Sequence, residues 1–164
     1  MEYRIREMCK EDLEAVTALE AACFSMPWKY HDFENILSDP KCIYLVAVLE
    51  TEKRDAQLPT VIGGCLLIDT IGEGDISNVA VHADFRKNHI ATALLQALLT
   101  IGKTKREIKV FTLEVRSQNL AAIGLYQKLG FISVGIRPRF YEKPKDDALI
   151  MKFYIESERQ ENNA

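Results

Sequence analysis

Three places in this chain of 164 residues bring together side chains that could do chemistry. The first is a basic turn, Arg86-Lys87-Asn88-His89, which follows an alternating apolar segment (Ile76, Val79, Ala80, Val81). The turn opens a helical pattern with apolar residues at Ile90, Leu94, Leu95 and Leu98. The first N–H groups of a helix lack intrahelical acceptors and sit at the positive end of its dipole. Strand, basic turn and helix start therefore make an anion site. Taken alone, the same pattern also fits a plain surface turn. The second place is Glu114 in VFTLEVR, where alternation sets Val110, Thr112 and Glu114 on the face opposite Phe111, Leu113 and Val115. A carboxylate there is either paired with a cation such as Arg116 or poised in a cleft as a general base. The third is Asn119 with Tyr126, which fall on nearly one face of a helix, roughly 10 Å apart along its axis. Tyr126 belongs to the apolar stripe, so its default role is core packing with a hydroxyl seeking a partner.

The elements that must position these residues are legible from periodicity. Tyr3 to Met8 reads as a strand, and Leu13, Val16 and Leu19 recur at helical spacing from Glu11 to Cys23. The acidic residues of that segment, Glu11, Asp12, Glu14 and Glu20, are expected on a solvated helix face. A short helix follows Pro27-Trp28 from Tyr30 to Leu37, and Ser38-Asp39-Pro40 closes it. Cys42 to Leu49 is a continuous apolar run, short enough to be a strand buried on both faces. Val61 to Thr70 is a further strand, its Gly63-Gly64 pair marking a bulge or a close backbone approach. The charged stretch between them, Glu50 to Thr60, reads as a hairpin loop.

Beyond the basic turn, Gly102 and the cations Lys103, Lys105, Arg106 and Lys109 mark a helix end. Val110 to Val115 is a strand, Asn119 to Leu129 a helix stopped by Gly130, and Phe131 to Arg137 and Ala148 to Ile155 two closing strands. The polar residues around Pro144-Lys145-Asp146-Asp147 separate the last two. Strands alternating with helices after an antiparallel meander give a mixed-sheet α/β domain over residues 1–156, with 157–164 as a polar tail.

The order ISNVAV, then R-x-x-H-x-A at a helix start, then LEVR-x-x-N-x-x-A-x-x-LY-x-x-LGF resembles the GNAT superfamily of acetyl-CoA-dependent N-acetyltransferases. The resemblance spans nearly the whole chain. Phe24-x-x-Pro27-Trp28, Gly135-Ile136-Arg137-x-Arg139-Phe140-Tyr141 and Asp147-Ala148-x-Ile150-Met151 are similar, within it, to the bacterial ribosomal-protein-alanine acetyltransferases. The resemblance implies an α/β (α+β by some schemes) GNAT fold. It is a twisted, mixed, mostly antiparallel sheet of about seven strands flanked by about four helices.

It also implies that the strands holding Val81 and Glu114 splay apart around acetyl-CoA. Val79, Ala80 and Val81 would present backbone groups to the acetyl and pantetheine portions. Arg86, Lys87, Asn88, His89, Ile90, Ala91 and Thr92 would wrap the pyrophosphate, and Asn119 would hydrogen-bond the cosubstrate. Glu114 matches the general base and Tyr126 the general acid. His89 departs from the family's usual glycine, and a histidine there is expected to keep ordinary helical dihedrals, or clash, unless its side chain points away. Phe24, Trp28, Glu73 and Tyr141 are candidates for contacting the acceptor. Trp28 and Tyr141 fall in loop-like segments, where large aromatics either line a groove or cap the core.

The resemblance implies the N-terminal alanine of ribosomal protein S18 as acceptor. An N-terminal α-amine has a pKa near 7.7–8.0, against roughly 10.4 for lysine. Removing its proton at neutral pH costs about 1 kcal/mol, against about 5 for lysine. One glutamate is thus an adequate base, and no metal is required. A polyamine or aminoglycoside acetyltransferase and a non-catalytic acyl-CoA-binding module are the alternatives. A pure binder needs neither Glu114 nor Tyr126. The formal charge of −3 does not favour nucleic acid. No apolar run reaches the roughly 20 residues that cross a bilayer. The four cysteines (Cys9, Cys23, Cys42, Cys65) and three histidines (His31, His82, His89) lack metal-ligand or disulfide spacing, which fits a cytoplasmic protein. Nothing in the sequence sets an oligomeric state.

Overall fold

Seven strands form one sheet in the order β1-β2-β3-β4-β5-β7-β6 in the computed structural model, which describes residues 1–50 and 59–156. Most of the expected hairpin loop and the polar tail lie outside the described residues. The elements are β1 (Glu2–Glu7), α1 (Leu13–Cys23), α2 (Tyr30–Ser38), β2 (Cys42–Glu50), β3 (Val61–Thr70) and β4 (Glu73–Val81). They continue as α3 (Ile90–Lys105), β5 (Val110–Arg116), α4 (Leu120–Leu129), β6 (Ile132–Glu142) and β7 (Lys145–Tyr154). All neighbouring strands are antiparallel except β4 and β5. With four helices on a mixed sheet, this is the GNAT architecture the sequence implied.

The sheet has two covered faces because its central strands carry apolar residues at both alternations. Tyr44, Val46 and Leu66 meet Leu13, Val16 and Leu19 of α1 and Phe33 of α2 in one core. Ile43, Leu45 and Leu67 meet Leu94, Leu95 and Leu98 of α3 and Tyr126 of α4 in the other. Ile43 to Ala47 are all buried, as a strand covered on both faces requires.

Gly102 does not end α3. The helix runs on to Lys105, and a Cβ at Gly102 would lie 2.6 Å from a Phe111 ring carbon, so glycine serves close helix–sheet contact there. The closing strands are also longer than expected. β6 reaches Glu142 and β7 starts at Lys145, so the polar residues form the hairpin end and part of β7 rather than a loop. Tyr141 therefore lies on a strand.

Candidate active site

The cleft begins where β4 and β5 part. Their parallel pairing runs from Glu73↔Val110 to Ile76↔Leu113 and stops there, although β4 continues to Val81 and β5 to Arg116. Beyond that point β4 stays paired with β3 and β5 with β7, so the two strands face each other across the gap with unpaired edges. A bulge sharpens the parting. Gly64↔Ala80 and Leu66↔Ser77 set two steps of β3 against three of β4, and the extra residue falls at Asn78, whose φ is +51°. The expected irregularity at Gly63-Gly64 is thus a bulge carried by β4. Gly64 itself leaves room for Tyr44, whose hydroxyl would lie 2.6 Å from an added Cβ.

On the other wall, Glu114 points from β5 and pairs with Arg137, Oε1 to Nε 3.1 Å, not with Arg116. Arg116 turns to the hairpin end instead. It donates to the carbonyls of Pro144 (2.7 Å) and Lys143 (3.0 Å) and stacks over the Tyr141 ring at 4.2 Å. Tyr141 is half-buried beside Glu114; burial pushes its hydroxyl pKa up, with the Glu114 charge adding and Arg116 opposing. Tyr126 is buried edge-to-face on Phe131, 5.9 Å between centroids. Burial raises its pKa strongly, with Tyr141 contributing, so this hydroxyl stays protonated throughout the physiological range. Tyr141 is the residue whose surroundings include both Glu114 and Tyr126.

At the mouth, the turn expected to bind an anion has the required backbone. The first α3 bond runs from the Ala93 N–H to the His89 carbonyl, so Ile90, Ala91 and Thr92 have N–H groups with no intrahelical acceptor. His89 does not keep helical dihedrals. It caps α3 at φ +60°, the left-handed conformation a glycine would supply, and Lys87 takes φ +63° two residues earlier. The Asn88 side-chain amide donates to the carbonyls of Phe85 (3.0 Å) and Arg86 (3.1 Å), which offsets part of the strain. Arg86 folds back, its Nε donating to the Val81 carbonyl at 3.2 Å. Asn119 caps α4, its Oδ1 accepting the Ala122 N–H at 3.2 Å.

The segment Phe24–Lys29 links α1 and α2. Ser25 donates its hydroxyl to the Lys143 carbonyl at 2.7 Å, which ties this segment to the β6–β7 hairpin. Phe24 and Trp28 are partly buried on the α1–α2 core, with the Trp28 ring tilted against Phe33, 5.9 Å between centroids. Glu73 is not brought to the site. It starts β4, six residues before Val79, about 20 Å away along the strand.

The model of the acetyltransferase (GNAT) family matches residues 13–131. The chain belongs to that family. It is 37% identical over 146 residues to the [ribosomal protein bS18]-alanine N-acetyltransferase of Escherichia coli K12, covering 88% of this chain and 92% of that one. The crystal structure of the S18-alanine N-acetyltransferase from E. coli superposes with a TM-score of 0.80 at 25% identity, covering 96% of this chain and 98% of that one. Arabidopsis thaliana NAA60 in complex with acetyl-CoA shares the fold at a TM-score of 0.82 and 19% identity, covering 94% and 99%.

As a GNAT acetyltransferase, the protein uses acetyl-CoA, and its cleft has the chemistry to accept that molecule. The unpaired edge of β4 offers backbone groups to an amide-bearing arm, and the α3 start offers N–H groups to a pyrophosphate. Sequence reasoning missed Glu20 and Asn78. The α1 acids were expected in solvent, yet Asp12 is 7% and Glu20 only 2% exposed. The signal was present for Glu20, which stands seven residues after Leu13 and four after Val16, on the buried stripe. Asp12 is held by Arg6, Nη1 to Oδ2 2.6 Å and Nη2 to Oδ1 3.0 Å. No helix among the described residues is long and apolar enough to cross a membrane.

Proposed function

We propose that this GNAT enzyme transfers acetyl from acetyl-CoA to the N-terminal α-amine of a protein, the N-terminal alanine of ribosomal protein S18. The observation that carries the reading is the parted β4–β5 pair, with unpaired β4 backbone facing the stretch of β5 that carries Glu114. In this reading Val79, Ala80 and Val81 line the acetyl end, and their N–H groups meet the oxygen that gains charge. Residues Arg86 to Thr92 hold the pyrophosphate, and Asn119 contacts the same molecule with its amide.

Glu114 takes the proton from the α-ammonium, directly or through one water. The neutral amine then attacks the thioester carbonyl; as the tetrahedral intermediate collapses, the C–S bond breaks and the nitrogen gives up its second proton to solvent. Tyr126, kept protonated by burial, gives its proton to the departing thiolate. Trp28, Phe24 and Tyr141 frame the acceptor between the α1–α2 segment and the β6–β7 hairpin, a groove suited to an extended chain end. The identity to S18-alanine N-acetyltransferases supports that acceptor, and the enzyme would meet it in the cytoplasm. Because His89 adopts the glycine-like dihedrals, its presence in the turn gives no support to a non-catalytic acyl-CoA binder.

The test is acetyl transfer to a hexapeptide copying the S18 N-terminus, beside a lysine peptide and spermidine. The S18 peptide is expected to give the highest kcat/KM. Equal or better turnover of spermidine overturns the acceptor and favours a small-amine acetyltransferase.

A further inference from the structure

A carboxyl buried in an apolar core is costly unless its oxygens are bonded. Glu20 is 2% exposed, and one of its oxygens, Oε2, is buried with no hydrogen-bond partner. The other, Oε1, accepts two bonds, one from β4 and one from the segment between α1 and α2. The Asn78 side-chain amide donates at 2.7 Å, and the Trp28 backbone N–H donates at 3.3 Å. Asn78 is the bulge residue of β4, held at φ +51°, immediately before Val79. Trp28 belongs to the segment that Ser25 ties to the β6–β7 hairpin. A left-handed non-glycine residue is strained and persists only where its surroundings fix it.

We propose that Glu20 is a positioning residue for acetyl transfer, acting through Asn78 and Trp28. By holding the Asn78 amide it fixes the bulge that sets the direction of the backbone from Val79 onward. By holding the Trp28 N–H with the same oxygen it fixes the acceptor wall relative to that backbone. One carboxyl thereby sets the distance between the two reactants. The proposal rests on the reading that the acetyl group lies along Val79–Val81. The pyrophosphate turn has its own hydrogen bonds, from Asn88 to Phe85 and Arg86, and is independent of Glu20.

The experiment compares Glu20→Leu, Glu20→Gln, Asn78→Gly and the double variant Glu20→Leu/Asn78→Gly, each checked for folding by circular dichroism. Rates are taken with whichever of the S18 peptide, lysine peptide or spermidine the wild type turns over best. Glu20→Leu is expected to lower kcat roughly 10- to 100-fold, the scale of a misplaced reactant, while the Kd for CoA stays within about threefold. Glutamine keeps the acceptor oxygen and should recover most of the rate. Asn78→Gly keeps the positive φ and the Trp28 bond but loses the amide, so it should lower kcat in the same direction and by no more than Glu20→Leu, and the double variant should be no worse than Glu20→Leu. A folded Glu20→Leu with wild-type kcat overturns the proposal. So does a Gln variant no better than Leu, or a double variant whose losses multiply. Should Glu20→Leu not fold, Asn78→Gly alone decides by the same kcat criterion. Amide hydrogen exchange supplies a readout independent of activity. It should quicken at Ser77–Val81 in Glu20→Leu and stay unchanged at Ile90–Thr92; unchanged exchange at Ser77–Val81 overturns the proposal. A wild type inactive towards every amine counts against the proposed function alone, and the exchange result then decides the role of Glu20.

Discussion

Glu114 and Arg137 meet at 3.1 Å across an intervening strand, for β7 lies between β5 and β6 and both side chains reach over it. The pair is partly exposed, and such pairs contribute at most about 1 kcal/mol. Arg137→Met should therefore move the melting temperature by only a few degrees. Glu114→Gln should lower kcat by roughly 10²- to 10⁴-fold, the range of a lost general base. The remaining rate should rise with pH as the substrate amine deprotonates near 7.7–8.0, shifting the pH–rate profile upward. A wild-type profile in Glu114→Gln would remove it from the role of base.

Tyr126→Phe keeps the ring against Phe131 and deletes only the hydroxyl. Expected are a kcat lower by about 10²-fold, an unchanged Kd for acetyl-CoA, and a melting temperature close to wild type. Stopped-flow turnover and calorimetric titration separate the two effects. Loss of affinity with intact kcat would assign the hydroxyl to binding.

Because His89 already occupies left-handed space, His89→Gly should leave the Kd for acetyl-CoA within about threefold. His89→Val cannot hold that conformation without strain of about 1–3 kcal/mol, and should weaken binding by tenfold or more. Titration of both variants distinguishes a backbone role from a side-chain one, since a side-chain role predicts that glycine and valine weaken binding alike.

At Gly102 two effects oppose each other. Alanine improves helix propensity by up to about 1 kcal/mol, but its Cβ would come 2.6 Å from the fully buried Phe111. Overpacking typically costs about 1–3 kcal/mol, so packing wins. Gly102→Ala should melt several degrees lower, and a rise in melting temperature would show that Phe111 yields.

Burial acts to raise the Asp12 carboxyl, but the Arg6 guanidinium and the Cys9 N–H outweigh it and hold the group below the usual carboxylate range. A depressed folded pKa stabilises above the unfolded value, near 3.9, and that contribution fades as pH falls through the folded value. Asp12→Asn should be less stable than wild type in urea at pH 7, and the gap should narrow below pH 4.

How much of this was legible in the sequence depends on the range of the interaction. Alternation in VFTLEVR and the stripe of α3 are local, and β5 and α3 stand where they were expected. Gly130 was legible for the same reason, since it closes α4 at φ +106°. The partner of Glu114 was not, because Arg137 is 23 residues on and is brought near only by the order β5-β7-β6. Glu20 was misread because an acid is assumed to face water, although its spacing put it on the apolar stripe. The end of α3 among the cations was legible, but the reason for Gly102 was not, because it lies in a ring on another element.

The bond from Ser25 to Lys143 joins residues 118 positions apart, whereas the turn at Arg86–Thr92 closes among neighbours. Contacts of such separation carry the largest loop-closure entropy and form late. On the proposed reading, the turn that anchors the donor can therefore take shape early in folding, while the segment that frames the acceptor waits until β6 and β7 have paired. Competence to bind CoA should precede competence to transfer acetyl as the chain folds.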